Sequence, residues 1–94
     1  MKAVSQTWFT YLLRCADNSL YTGVTTDLNR RLDEHNHSNK LGAKYTRVRR
    51  PVQLAYAEKN IDRQSACRRE YVLRKLPKQK KEQLTVSFDI TKIP

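Results

Sequence analysis

The sequence is short of acid. Nine Asp+Glu stand against 19 Lys+Arg in 94 residues, a net charge of +10, and a surface so lopsided attracts polyanions from a distance. Nucleic acid is the first polyanion to consider. An anionic membrane would call for a basic amphipathic helix with bulky apolar residues opposite, or a lipidation signal. Neither is evident, so no membrane partner is expected. Long apolar runs are missing too. The chain nowhere reaches the roughly eighteen consecutive apolar residues of a membrane span, and Met1-Lys2-Ala3-Val4-Ser5-Gln6 lacks the apolar stretch of a signal peptide. A cytoplasmic location is expected. Cysteine is limited to Cys15 and Cys67, without a CxxC pair, which speaks against a disulfide framework or a zinc knuckle. Joining them with His35 and His37 matches none of the usual zinc spacings. Both cysteines read as buried small apolar residues. No internal repeat or low-complexity segment occurs, and the length suits one small domain over 1–94, its core at about 7–86 and its termini flexible.

What is present reads as a short alternation of strands and helices. Trp8 to Cys15 alternates with period two and is rich in aromatic residues, as a strand requires. Ala16-Asp17-Asn18-Ser19 supplies turn chemistry, and Leu20 to Val24 resumes the extended pattern to close a hairpin. Thr25-Thr26-Asp27 offers a helix cap and a first-turn acid, and Leu28 with Leu32 opens an apolar stripe running to about Asn36. From Ser38 to Arg50 the periodicity is lost, Gly42 interrupts, and basic residues accumulate without one acid, which reads as a basic surface loop. After Pro51 the alternation of Val52, Leu54 and Tyr56 gives a third strand. Asp62 then caps a helix that runs to Pro77, and a further short helix follows over Lys78 to Val86. The tail from Ser87 to Pro94 is unassigned. The expected fold is α/β of the α+β type: a small three-stranded antiparallel sheet with helices packed against it, in the order β-β-α-β-α-α.

The first helix places polar groups where a core is expected. At about 100° per residue, Arg31 and His35 share a side with Leu28 and Leu32, while Arg30, Asp33 and Glu34 face away. A poorly solvated guanidinium needs an anionic partner, either a protein carboxylate or a phosphate. On the second long helix Glu70 and Arg69 likewise fall within or beside the stripe of Ala66, Leu73 and Leu76. They are either a structural ion pair or part of a site.

Taken jointly, Phe9-Thr10-Tyr11, then Tyr21-Thr22-Gly23, then Arg31 and His35 resemble the signature of the GIY-YIG nuclease superfamily. Its members carry two triplets on short strands and an arginine eight residues after the second triplet's glycine, which is the step from Gly23 to Arg31. His35 one turn later matches a histidine that many members carry, and Glu70 matches their metal-binding glutamate. Within the superfamily the chain is similar to small stand-alone bacterial proteins of YhbQ type, through Tyr21-Thr22-Gly23-Val24-Thr25-Thr26-Asp27 and Lys44-Tyr45-Thr46-Arg47. It departs from the pattern in reading Phe-Thr-Tyr for Gly-Ile-Tyr and in having no asparagine after Glu70.

The resemblance implies a divalent-metal-dependent endonuclease that hydrolyses phosphodiester bonds in DNA. With no separate sequence-reading domain, such an enzyme is expected to be directed by DNA structure or damage. Glu70 would hold one Mg2+ or Mn2+, bound mainly with substrate, and no small-molecule cofactor is expected. Arg31 would contact the scissile phosphate, Tyr11 or Tyr21 would be the general base, and His35 would orient that phenol or shuttle its proton. The two tyrosines share a face only if the hairpin loop has an odd number of residues, for which Ala16-Asp17-Asn18 with Asn18 left-handed suffices. Around the site, Lys40, Lys44, Arg47, Arg49 and Arg50 would bind backbone phosphates, joined by Arg74, Lys75, Lys78, Lys80 and Lys81. Tyr45 among them either stacks on a base or packs. DNA is the favoured partner over RNA. The alternatives are a non-catalytic nucleic-acid-binding module and an interaction subunit of a larger repair or RNA-processing complex.

Overall fold

The computed structural model describes residues 6–89 and Thr91; the expected flexibility of the extreme termini lies outside that range. Seven elements follow one another: β1 (Trp8–Arg14), β2 (Leu20–Thr25), α1 (Leu28–His37), α2 (Lys44–Arg47), β3 (Gln53–Asn60), α3 (Arg63–Lys75) and α4 (Lys78–Val86). The three strands form one antiparallel sheet in the order β2-β1-β3. The expected architecture is therefore present, with α2 added.

β1 is the central strand, and its alternation separates two cores rather than a core from water. Tyr11, Leu13 and Cys15 are buried with Val52 and Ala57, against which Leu28 and Leu32 of α1 pack. On the other face the Thr10 hydroxyl donates to the Ala66 carbonyl of α3 at 2.9 Å, and Arg14 donates a fork of two hydrogen bonds to the Glu82 carboxylate of α4. The sheet thus lies between α1 with α2 on one side and α3 with α4 on the other. Polar Thr10 tolerates complete burial because its hydroxyl is satisfied, also accepting from Asn60 Nδ2 at 3.0 Å.

Three local devices set the geometry. The hairpin turns on Ala16-Asp17-Asn18, closed by Cys15 N to Ser19 O and Asn18 N to Cys15 O, both 2.9 Å, with Asn18 at φ 70. This odd loop pairs Tyr11 with Gly23 and Leu13 with Tyr21, which puts both tyrosines on the α1 face. A bulge in β3 then breaks the simple alternation expected there. Leu12 pairs with Tyr56 but Leu13 with Leu54, so Ala55 is extra and Tyr56 turns to the face opposite Leu54. Finally, Asp27 itself is the cap of α1, accepting from Arg30 N at 3.0 Å. Because Leu28 starts the helix directly after it, no acid is left for the first turn.

Other expectations are corrected. Residues 38–50 are not a plain surface loop: they contain α2, bury Thr46, and are tied down by their own arginines. Arg47 donates to the Asn39 carbonyl, Arg49 to the Tyr45 carbonyl and Asp17, and Arg50 to the carbonyls of His35 and Ser38 and to Asn39 Oδ1. Irregular backbone needs acceptor partners that a sheet or helix would provide internally, and periodicity does not report such partners. Cys15 is buried, but Cys67 is only half-buried, because Ala66 takes the inward position of that turn of α3. In the unassigned tail, Phe88 packs on the core and edge-on to Tyr56, with ring centroids 5.8 Å apart.

The pairing of Tyr11 with Gly23 is close. A Cβ on Gly23 would stand 2.4 Å from the Tyr11 hydroxyl oxygen and 2.6 Å from Cζ, and the buried ring has nowhere to retreat. Gly23→Ala should therefore destabilise the protein by about 1–3 kcal/mol, as overpacking does, measured by urea unfolding. An unchanged midpoint would show that the Tyr11 ring lies elsewhere.

Candidate active site

Tyr11 and His35 meet between β1 and α1. Tyr11 is 2% exposed and His35 fully buried, and the phenol oxygen lies 2.9 Å from His35 Nε2. On the far side of the ring, Nδ1 lies 2.7 Å from the Thr46 hydroxyl on α2. Burial pushes the His35 pKa down to about 4, helped by the Arg31 and Arg50 charges and opposed by Glu34, so the ring is neutral at physiological pH. Burial likewise pushes the Tyr11 phenol up to about 12 against the pull of Arg31.

Tyr21 packs edge-on to His35 with centroids 5.2 Å apart, and Tyr45 stacks on Tyr21 at 5.8 Å. Beside them, at the β2 edge, opens a cleft of about 300 Å³ lined by Tyr21, Thr22, Tyr45, Glu70, Arg74, Lys81 and Leu20. Tyr21 and Thr22 point to opposite faces of β2, so the cleft wraps the free edge of the sheet. Through it Glu70 of α3 comes within electrostatic reach of Tyr21 on the α1 face. Burial raises the Tyr21 pKa; the Arg31 and Arg74 charges oppose that shift and the Glu70 charge adds to it.

Arg31 donates through Nη1 to Glu34 and to the Leu41 carbonyl, both at 2.7 Å, and its positive charge also bears on the Tyr11 phenol. Its protein carboxylate is thus Glu34, which does not face away but is turned inward by this pair. Arg69 pairs with Glu58, leaving Glu70, among the described residues, with only the exposed Arg74 guanidinium at 3.4 Å. A half-buried carboxylate with so weak a partner, facing a cleft, has capacity for a cation. Among the described residues no three His, Cys, Asp or Glu converge as a metal site, so an ion there would depend on Glu70, water and phosphate oxygens, a donor set that suits a hard cation.

Residues 7–83 match the model of the GIY-YIG catalytic domain. The chain belongs to the GIY-YIG family. Among relatives of this GIY-YIG domain, a UPF0213 protein of Desulfotalea psychrophila is 52% identical over 77 residues, spanning 82% of this chain and 69% of the relative. One of Staphylococcus aureus is 46% identical over 76 residues, 81% of this chain and 90% of the relative. Two solution NMR structures are similar: the UPF0213 protein BH0048 of Bacillus halodurans, at TM-score 0.53 and 41% identity over 86% of this chain and 84% of that one, and protein EF2693 of E. faecalis, at 0.57 and 42% over 85% of each. The chain is thus a small nuclease-type domain of the UPF0213 kind, similar to the YhbQ branch.

The GIY-YIG fold places Tyr21 and Glu70 on the cleft lining with Arg74 and Lys81, while His35 and Tyr11 are buried behind Tyr21 and Arg31 reaches the Tyr21 phenol as a charge rather than as a lining residue. The remaining basic positions are scattered. Lys40 and Lys44 are exposed, whereas Arg47, Arg49 and Arg50 are engaged by the protein as described. Lys75 lies over the Tyr71 ring outside the cleft, and Lys78 bonds the Asn18 carbonyl and Glu82. Tyr45 carries the Arg49 guanidinium 3.8 Å over its ring besides stacking on Tyr21, which accounts for its position by packing. Thr46 and Glu34 are site residues that sequence reasoning passed over. The only signal for Thr46 was its place in Lys44-Tyr45-Thr46-Arg47.

The histidine offers a pH test. The unfolded chain binds a proton at an ordinary histidine near pH 6.5, where the folded chain does not until about 4. Stability should therefore be complete above about pH 6.5 and fall by about 3 kcal/mol as pH drops toward 4. Proton NMR should place the His35 titration near 4 in the folded protein; a midpoint near 6.5 would contradict the burial argument.

Proposed function

We propose that the protein is a divalent-metal-dependent endonuclease that hydrolyses DNA phosphodiester bonds at the β2-edge cleft. The observation that carries this reading is that Glu70 and Tyr21, from two different elements, line that cleft, with the Arg31 charge of a third element bearing on the same phenol. Glu70 would hold the Mg2+ or Mn2+ ion, which when bound would supply positive charge to stabilise the phosphorane-like transition state and ease loss of a nearby proton. Arg31 binds the scissile phosphate with its planar fork, which a lysine would not reproduce. Tyr21, half-buried on the cleft wall, is the phenol that as phenolate accepts the proton of the attacking water at Oη. Tyr11 is nearly sealed from solvent and holds His35 in place instead. As the water oxygen bonds to phosphorus, the bond from phosphorus to the leaving oxygen breaks.

Arg74 and Lys81 at the rim bind flanking phosphates, which positions the strand without reading bases. That favours a target defined by structure or damage. A second reading, a DNA- or RNA-binding module that does not cut, is favoured by Arg31, whose Nη1 already has two protein acceptors, and by a Tyr11 phenol at about 12.

A nicking assay on branched and plain duplex DNA separates the two. Wild type should cut with Mg2+ and stop with chelator, and Glu70→Ala, Arg31→Lys and Tyr21→Phe should each lose about 100-fold or more in rate, the scale of removing a transition-state contact. Salt-sensitive binding without cutting on any substrate would instead establish the binding module.

A further inference from the structure

Thr46 is the one fully buried residue of the basic segment 38–50, and the nuclease reading makes no use of it. Its hydroxyl has one proton to give, and the Ala43 carbonyl stands 3.1 Å away to take it. With the hydroxyl proton directed at that carbonyl, which also accepts from the Thr46 and Arg47 N–H groups, His35 Nδ1 at 2.7 Å meets the hydroxyl's lone pair and donates to it as Nδ1–H. The other end of the ring makes the same demand. The hydroxyl proton of buried Tyr11 has, among the described residues, one acceptor within hydrogen-bond distance, His35 Nε2, because Arg31 can only donate. A neutral imidazole carries a single N–H, so both ends are satisfied by one tautomer.

We propose that Thr46 is a positioning residue whose hydroxyl locks His35 in the Nδ1–H tautomer, making Nε2 the acceptor of the Tyr11 phenol proton. The direction of the whole chain follows: Tyr11 to Nε2, Nδ1 to Thr46, Thr46 to the Ala43 carbonyl. The short helix α2 exists in the right place to make this contact, and Arg50, donating to the His35 carbonyl at 2.7 Å, pins the same residue from its backbone. The consequence for catalysis rests on the nuclease reading, whereas the tautomer does not.

The test is the two-bond proton-nitrogen spectrum of the full chain labelled with 15N-histidine, with His35 distinguished by His37→Gln. Wild type should show a protonated Nδ1 and a bare Nε2. Thr46→Val, close in shape but without the hydroxyl, should move the ring toward the Nε2–H form, and Thr46→Ser should restore the first pattern. Cutting should fall on the order of 10-fold in Thr46→Val and recover in Thr46→Ser, as for other residues that orient a histidine. An Nε2–H ring in wild type or Thr46→Ser, or an unchanged tautomer in folded Thr46→Val, overturns the proposal. Should Thr46→Val not fold, the wild-type and Thr46→Ser spectra still decide it. The expected tautomers in a protein that cuts nothing would uphold the lock and remove only the nuclease reading.

Discussion

The hydrogen bond between the Tyr11 phenol and His35 Nε2 is the contact on which the site depends. It joins the central strand to α1 across a core from which water is excluded, where an unmade bond would leave two polar groups stranded at a cost of about 1–3 kcal/mol each. Much of the local sequence serves it. Gly23 has no side chain because the Tyr11 ring lies over it, the odd hairpin loop keeps Tyr21 on the same face, and α2 folds so that Thr46 can meet the second ring nitrogen. A polar pair so enclosed has a defined geometry, and the cleft is built against it.

Charge is used in two distinct ways. Much of the arginine complement acts as internal strapping: Arg50 binds carbonyls at the end of α1, Arg49 spans Asp17 and the Tyr45 carbonyl, and Arg14 fixes α4 through Glu82. In that last pair the guanidinium and Lys78 hold the Glu82 carboxyl down at about 2. Arg74 and Lys81 lie at the cleft, and Lys40 and Lys44 stand in open solvent.

Strand and helix periods located nearly every element within a residue or two, and the same-face placement of Tyr11 and Tyr21 hung on loop parity, which the three-residue turn decides. The spacing of Gly23, Arg31 and His35 likewise carried the family likeness, because those residues lie on regular elements whose geometry spacing encodes. What the sequence concealed has a common cause. The β3 bulge, the inward turn of Glu34 toward Arg31, the burial of Thr46 and the arginine straps of residues 38–50 all depend on tertiary partners far along the chain. Period-two and period-3.6 patterns do not record such partners. The cleft itself is of this kind, since Glu70 and Tyr21 approach the β2 edge from opposite sides of the sheet.

The central claim is that this cleft, rather than any other part of the basic surface, holds the scissile phosphate and a cation at Glu70. A crystal structure with Mn2+ and a phosphorothioate duplex that resists cleavage tests it most directly. The account predicts an anomalous manganese peak within coordination distance of the Glu70 carboxylate, with a backbone phosphate between it and the Arg31 guanidinium. Manganese bound away from Glu70, or DNA lying on the outer face of α3 with the cleft empty, would contradict it.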